Sequence, residues 1–580
     1  MTPLPEPPIL RALRESVIGD DVVVEGPYGA RRVTYADYTA SGRAVGFIED
    51  LIRDEVLPHY ANTHTEATGT GRQTTRLRED AREIIHAAVG ADEESAVIFT
   101  GSGATGAIDK LIGILGLRLP SQLEDRHHLA RHVAPTDRPV VFVGPYEHHS
   151  NELPWRESLV DVVQIPPDDL GHLDVGALEQ ALDAHADRSV LIGTFSAASN
   201  VTGILTDVPM VSALLHRHGA LAFWDYAAAA PYVTIDVSGR RAGVPGAHLD
   251  AVFLSPHKLL GGPGTPGVLV VRRELLRNRV PVVVGGGTVS YVGPTEHEYL
   301  VDPVAREEGG TPAIVDGIRA GLVFQLKEAV GQDVIDARED AFLARALARW
   351  AEEERLEVLG QPGVDRLPII SFVVRAPDGR LLHHQLVVAM LDDLFGIQTR
   401  GGCACAGPYG HRLLGVDAEQ SALLHAAVAD GWEGVKPGWA RLNLPYVLSE
   451  ESVDLLVEAV AFVARDGWRL MGDYVFDPRS GLWAHRRGRR TPMLRLHDVR
   501  YDDGRLTHPG HHHTRASHGA THDYLAQART HAERATPPRL DEPSGLPEGV
   551  ERLRWFAMDP ACGRAVGDQA GDCRDAPREG

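Results

Sequence analysis

Of the 58 basic residues in this 580-residue chain only four are lysine: Lys110, Lys258, Lys327 and Lys436. Arginine can supply surface charge, but only lysine offers an amine that condenses with an aldehyde. Lys258 differs from the other three in its setting. It follows the apolar run Ala251-Val252-Phe253-Leu254 through Ser255-Pro256-His257, and it precedes Leu259-Leu260-Gly261-Gly262-Pro263-Gly264. An amine at the end of a buried strand is poorly solvated, which lowers its pKa and favours the nucleophilic neutral form. Glycines after it let backbone approach a ligand closely.

Two further segments supply groups that such an amine would need. Leu221-Ala222-Phe223-Trp224-Asp225 reads as a buried strand ending in a single carboxylate. At the carboxyl end of a parallel strand that carboxylate points into the ligand crevice. Opposite a pyridine nitrogen it would keep the nitrogen protonated, which makes pyridoxal 5'-phosphate (PLP) an electron sink. Phe99-Thr100-Gly101-Ser102-Gly103-Ala104-Thr105-Gly106 reads as a strand, a small-residue loop and a helix start. Backbone N–H groups at a helix N-terminus, with hydroxyls beside them, suit a phosphate. The spacing matches neither a Walker A loop nor a dinucleotide fingerprint.

The elements that must position these groups are legible in the hydrophobic pattern. Ala96–Phe99, Pro139–Val143, Val160–Ile165, Val190–Phe195, Leu221–Trp224, Ala251–Leu254 and Val268–Val271 are short apolar runs that alternate with helical patterns such as Ala177–Ala184 and Pro209–His218. Alternation of this kind predicts an α/β domain with a mostly parallel sheet and helices on both faces. After residue 330 the pattern changes to a charged helix (Ile335–Glu354), a strand (Ile369–Val374), a helix (Leu381–Leu394) and a last helix capped by Ser449. The predicted division is an N-terminal segment 1–30, a large cofactor-binding domain 31–325, a smaller α/β domain 326–466 and a His/Arg/Pro-rich C-terminal extension 467–580. From Arg486 onward the chain has sixteen arginines against fourteen acids and no lysine, and its histidines include His508, His511, His512, His513, His518 and His522. No periodicity strong enough for a core is visible there, so the extension is expected to be partly disordered or loosely attached.

Taken together, these residues resemble the class V aminotransferase family of fold-type I PLP enzymes, in the branch of cysteine desulfurases and selenocysteine lyases. The resemblance covers roughly residues 30–465. It is carried by Asp37-Tyr38-Thr39-Ala40-Ser41, Asn62-Thr63-His64, Gly103-Ala104-Thr105, Glu147-His148-His149-Ser150-Asn151, Ser196 to Gly203, Ser255 to Lys258, Gly309-Gly310-Thr311-Pro312 and Ala440-Arg441-Leu442-Asn443. The resemblance implies that Lys258 holds PLP covalently, that Asp225 pairs with its ring nitrogen and that His148 stacks on its ring. It implies that Asn200 contacts its hydroxyl, that Ala104, Thr105, Ser255 and His257 bind its phosphate, and that Thr311 reaches the phosphate bound by the other subunit of a homodimer. Arg441 would grip the substrate carboxylate. One departure concerns Asp225-Tyr226-Ala227-Ala228: Ala228 stands where the family usually has a glutamine touching the cofactor hydroxyl.

Counted from Arg400, Cys405 in Arg400-Gly401-Gly402-Cys403-Ala404-Cys405-Ala406-Gly407 falls on the family's sulfur-accepting position, and Cys403 is extra. A glycine-flanked loop beside an arginine favours an accessible thiolate. The reading is therefore a PLP enzyme that removes sulfur from cysteine or a related amino acid, with Lys258, Asp225, His148 and Cys405 as its catalytic set. A sulfur-acceptor protein is an expected partner. The alternative keeps the cofactor and changes the reaction to transamination, C–S lysis or epimerisation, and a non-catalytic scaffold ranks below both. No metal site is expected. A net charge of −22 argues against nucleic acid as a partner, and no apolar run approaches the length of a membrane span. Four cysteines and a start lacking a basic, apolar leader point to the cytoplasm.

Overall fold

Seven apolar runs build one sheet in the computed structural model. They are numbered along the chain as β1 (Ser95–Thr100), β2 (Val140–Val143), β3 (Asp161–Gln164), β4 (Leu191–Ser196), β5 (Leu221–Asp225), β6 (Ala251–Leu254) and β7 (Gly267–Arg272). Their order across the sheet is β1-β7-β6-β5-β4-β2-β3. Strands β2 to β6 pair in parallel, as the alternation with helices requires. β7 is antiparallel to both of its neighbours. A parallel pair needs a long crossover, usually helical. Between β6 and β7 the chain holds only the Lys258 turn and the glycine-rich loop, so it folds straight back.

The sheet is filled on both faces because its strands are apolar at consecutive positions. Along β6, Ala251 and Phe253 enter one core while Val252 and Leu254 enter the other. The first core takes Ala107, Ile108 and Leu111 from the helix Gly103–Ile114. The second takes Leu214 from the helix Val208–Arg217 and Val323 and Phe324 from the helix Ile314–Val330. The architecture is the expected fold-type I α/β sandwich.

A smaller antiparallel sheet lies beyond it, in the order Leu356–Val358, Ile369–Val374, Trp439–Asn443, Arg400–Gly402. The helices His384–Phe395 and Glu450–Asp466 pack on it. Ser449 caps the second helix, accepting from Ser452 N–H, and the helix stops at Asp466.

The structure describes residues 6–63, 65–488, 494–508, 514–515 and 523–563. His64, His511, His512, His513, His518, His522 and Cys573 lie outside them. For the described part of the C-terminal extension, the expectation of a loose appendage is corrected. Tyr524, Ala528, Ala532, Leu540, Phe556, Met558 and Cys562 are buried in the same apolar cluster as Leu386, Met390 and Phe462. The apolar residues of the extension come in runs of four at most (Trp555-Phe556-Ala557-Met558), set among arginines, glycines and prolines, too short and irregular to announce a core. Each fills a gap that the smaller sheet and its helices leave. One local signal was readable: Tyr524, Ala528 and Ala532 recur at i, i+4 on the helix Tyr524–Arg534. The described part of the N-terminal segment is also built in, since Leu10 and Leu13 join the large core and Tyr28 the smaller one.

Candidate active site

All five parallel strands end on one side of the sheet, and so does β1, because β7 reverses twice between them. The loops that follow their carboxyl ends therefore converge, as open α/β sheets require of a ligand crevice. They enclose a cavity of about 380 Å³ lined by Ala104, Thr105, His148, Asn200, Asp225, Ser255, His257, Lys258, Cys405 and Arg441. Ten of the eleven residues singled out in the sequence thus share one space. Thr311 does not: it lies outside the cavity, with its hydroxyl accepting from Asn62 Nδ2 at 3.3 Å. Arg400, Ser102, Thr39, Ala40, Ser196, Thr265 and Ala228 are among the other lining residues.

Lys258 ends a short turn, Pro256–Lys258, directly after β6. Burial pushes its ammonium down to about 8, Asp225 opposes that shift, and the Arg441 and Arg400 charges add to it. Asp225 ends β5 and is 5% exposed. Its Oδ1 accepts from Ala227 N–H at 2.8 Å. Burial raises its pKa, with the Ala227 hydrogen bond and Lys258 acting the other way. His148 is held neutral, down to about 3, by burial and then by Lys258. Its Nδ1 accepts from Ser150 N–H at 3.1 Å, which fixes the ring. Behind it Glu147 takes three hydrogen bonds, from Asn151 Nδ2, Ser196 N–H and Ser196 Oγ. Burial nevertheless lifts that carboxyl to about 7.

The turn after β1 gives the cavity a donor cradle. The helix Gly103–Ile114 starts there with no side-chain cap from Ser102. Ser255 Oγ accepts from Ala104 N–H at 2.8 Å, which ties the loop after β6 to the helix start. Gly103 sits at φ +53, and a Cβ on it would stand 2.8 Å from Ser255 Oγ. Thr105 Oγ1 lies 2.7 Å from Ser150 Oγ. Burial and Lys258 keep His257 neutral, down to about 4. A buried carboxylate, a poorly solvated lysine and a helix start bordered by the Thr105 and Ser255 hydroxyls line one cavity and fit PLP. Asp225 would face the ring nitrogen and the Gly103–Thr105 turn, with Ser255 and His257, the phosphate.

Arg400 and Arg441 also line the cavity, and Asp37 bridges them. Arg441 is 4% exposed. It gives NH2 to Asp37 Oδ1 at 2.9 Å and NH1 to the Asn200 carbonyl at 3.0 Å, while its buried Nε has no partner. Arg400 holds the other Asp37 oxygen at 3.1 Å. The sequence marked Arg400 as the residue from which Cys405 is counted and as the charge beside its thiol, and missed it as a lining residue; its spacing from Cys405 was the available signal. Asn200, expected at the cofactor hydroxyl, gives its Nδ2 to the Ala404 carbonyl at 2.8 Å and so reaches the cysteine loop. Cys405 is exposed and faces the cavity, whereas Cys403 is half-buried against Tyr146, Tyr409 and Trp439.

Comparison with known proteins bears on the family and the fold. The chain is 29% identical over 418 residues to a probable cysteine desulfurase of Halobacterium salinarum, which covers 71% of this chain and 92% of that protein. A probable cysteine desulfurase of Staphylococcus aureus is 26% identical, with 68% and 87% covered. Among solved structures, the apo cysteine desulfurase of Thermococcus onnurineus superposes with a TM-score of 0.62 at 22% identity, over 80% of this chain and all of that one. A cysteine desulfurase of Escherichia coli does so with a TM-score of 0.56 at 21% identity, over 73% and 93%. At those identities the superpositions speak to the fold. The aminotransferase class-V model matches residues 34–427, from the strand before Asp37 to beyond the cysteine loop. With well over half its length matched, this chain belongs to the class V aminotransferase family and is a PLP-dependent enzyme.

Proposed function

We propose that this enzyme removes sulfur from cysteine or a closely related amino acid and carries it as a persulfide on Cys405. The observation that supports it most is that Cys405 and Lys258 line one cavity, with Arg441 on its wall. PLP, when bound, would supply the electron sink that weakens bonds at the substrate's α- and β-carbons. The chain's own residues do the rest. Arg441, always charged and already fixed by Asp37, orients the substrate carboxylate through its remaining donors. Lys258, whose amine titrates near 8, holds or releases the α-proton close to neutral pH. His148, kept neutral, offers an apolar ring face. Cys405 attacks the substrate sulfur as thiolate: an S–S bond forms, the substrate C–S bond breaks, and alanine leaves as the co-product.

The test is incubation with cysteine, measuring alanine and protein-bound persulfide in equal amounts. Cys405→Ser should lose both and retain the visible absorption of bound cofactor, while Cys403→Ser should keep most activity. Equal activity in all three proteins would remove this reading. The second reading is a transaminase, C–S lyase or epimerase. It rests on Ala228, which lines the cavity where the family's glutamine is expected and leaves the cofactor hydroxyl one donor short.

The working form is read as a homodimer in the cytoplasm that passes sulfur to an acceptor protein. Support for the dimer comes from Val282, Val283, Val284, Tyr291 and Val292, which are exposed on the same chain segment that leads to Thr311. Among the described residues no helix is long and apolar enough to cross a membrane.

A further inference from the structure

The loop that carries Cys405 has an unusual backbone. Ala404 and Cys405 are consecutive non-glycine residues at φ +49 and +54, both in the left-handed region. That region costs roughly 1–2 kcal/mol per residue for an L-amino acid, so it persists only where surrounding contacts impose it. Neither residue belongs to a helix or strand, and the imposing contacts come from elsewhere in the chain.

Three hydrogen bonds straddle the thiol. Asn200 Nδ2 donates to the Ala404 carbonyl at 2.8 Å. The backbone N–H of His149 donates to the Cys405 carbonyl at 2.9 Å. The Gly407 N–H donates to His149 Nε2 at 3.0 Å. Gly407 is the first residue of the helix Gly407–Leu413, whose N-cap residue, Ala406, has no side chain able to cap it. The first N–H of a helix has no partner inside the helix. The imidazole of His149, from a segment more than 250 residues earlier, takes that place. It also fits closely, since a Cβ on Gly407 would stand 3.3 Å from Nε2.

We propose that His149 is a positioning residue that clasps the Cys405 loop, holding the carbonyl of Cys405 with its backbone and the turn after it with its ring. The inference rests on the reading of Cys405 as sulfur acceptor. The clasp sits next to His148, so the residue that lines the cofactor pocket and the residue that anchors the attacking thiol are neighbours in one short turn. The sulfur of a bound substrate and the thiol of Cys405 are thereby referred to one rigid frame, with Glu147 and Asn151 locked beneath it. Accepting from Gly407 requires an unprotonated Nε2. Burial holds the imidazole below its ordinary pKa, which keeps that nitrogen free to accept.

The test uses the full-length holoenzyme and three variants. His149→Ala and His149→Phe both remove the acceptor, and the phenyl ring keeps the space filled. His149→Gln places a carbonyl oxygen near the lost nitrogen. Both acceptor-less variants should keep the visible band of bound cofactor. In both, amide hydrogen exchange of the peptide 401–410 should accelerate, by about tenfold for a hydrogen bond at the strong end of the usual net range. The kcat for persulfide formation should fall by a similar factor with the KM for cysteine unchanged, and His149→Gln should recover both. Unchanged exchange in His149→Ala and His149→Phe would overturn the clasp. Faster exchange with an unchanged kcat would overturn its positioning role. If the wild-type enzyme forms no persulfide at all, the desulfurase reading fails, and the exchange contrast still decides whether His149 holds the loop.

Discussion

Lys258 shows how one residue is tuned by conflicting neighbours. Burial and two arginines lower its pKa, Asp225 opposes them, and the result lies near 8. Only the neutral amine can react with an aldehyde. Uptake of PLP by the cofactor-free protein should therefore quicken as pH rises, close to tenfold per unit well below 8, and level off above it. The measurement is the growth of the visible band after mixing, followed from pH 6 to 9. A rate that falls with pH would contradict the assignment. Lys258→Ala should show no band reducible by borohydride at any pH. Of the residue-scale features, Lys258 and Asp225 were readable because each closes an apolar run, and Arg441 and Cys405 were readable through the family resemblance. His149's contact with Gly407 was not readable. Nothing local links two positions that far apart, and the bond exists only because the smaller sheet lays the cysteine loop across the end of the larger one.

Elements place these residues through their ends. The helix Gly103–Ile114 starts at a glycine that must be one, because φ is +53 and the Ser255 hydroxyl occupies the space of a side chain. Gly103→Ala should cost the protein through backbone strain of roughly 1–2 kcal/mol. It should also displace Ser255 from Ala104, weakening cofactor affinity while leaving the far-UV spectrum unchanged. Equilibrium dialysis of PLP against both proteins checks this, and equal affinities would show that the cradle tolerates the shift. The strands from β1 to β7 were legible, since buried strands advertise themselves as apolar runs, whereas the short helices Ser121–His127 and Leu153–Arg156 were not. The direction of β7 was not. An apolar run reads the same forwards and backwards, and only the shortness of the loop after β6 forces the reversal.

At the scale of the whole molecule the C-terminal extension is the largest revision. A chain ending at residue 485 would strip Tyr524, Phe556 and Met558 from the smaller core, where they are 7%, 0% and 0% exposed. Burying each such side chain is worth roughly 1.5–3 kcal/mol, against a total stability of about 5–15 kcal/mol for a typical domain. The shortened chain should therefore unfold at a markedly lower temperature or aggregate. A melting curve matching that of the full-length protein would show that the extension contributes little. The proposed dimer is tested at this scale too. Sedimentation at assay concentrations should give twice the chain mass, and Val283→Asp together with Val284→Asp should shift it toward one. An active monomer would remove the assignment of Thr311 to the partner's site.

By itself the sequence determined the class of fold, the cofactor chemistry and most of the pocket. The fold, the lysine, the acid and the phosphate turn depend on residue type and on periodicity over a few positions: a rare lysine after an apolar run, an acid ending another, a glycine-rich helix start; the rest of the pocket came with the family resemblance. The tertiary structure alone decided what joins across hundreds of residues. It pairs Asp37 with both Arg400 and Arg441, ties Asn200 and His149 to the cysteine loop, and makes scattered apolar residues of the extension into core. The physical reason is the same in each case. A hydrogen bond or a filled gap belongs to two surfaces at once, and a periodic pattern records only the one on which it is written.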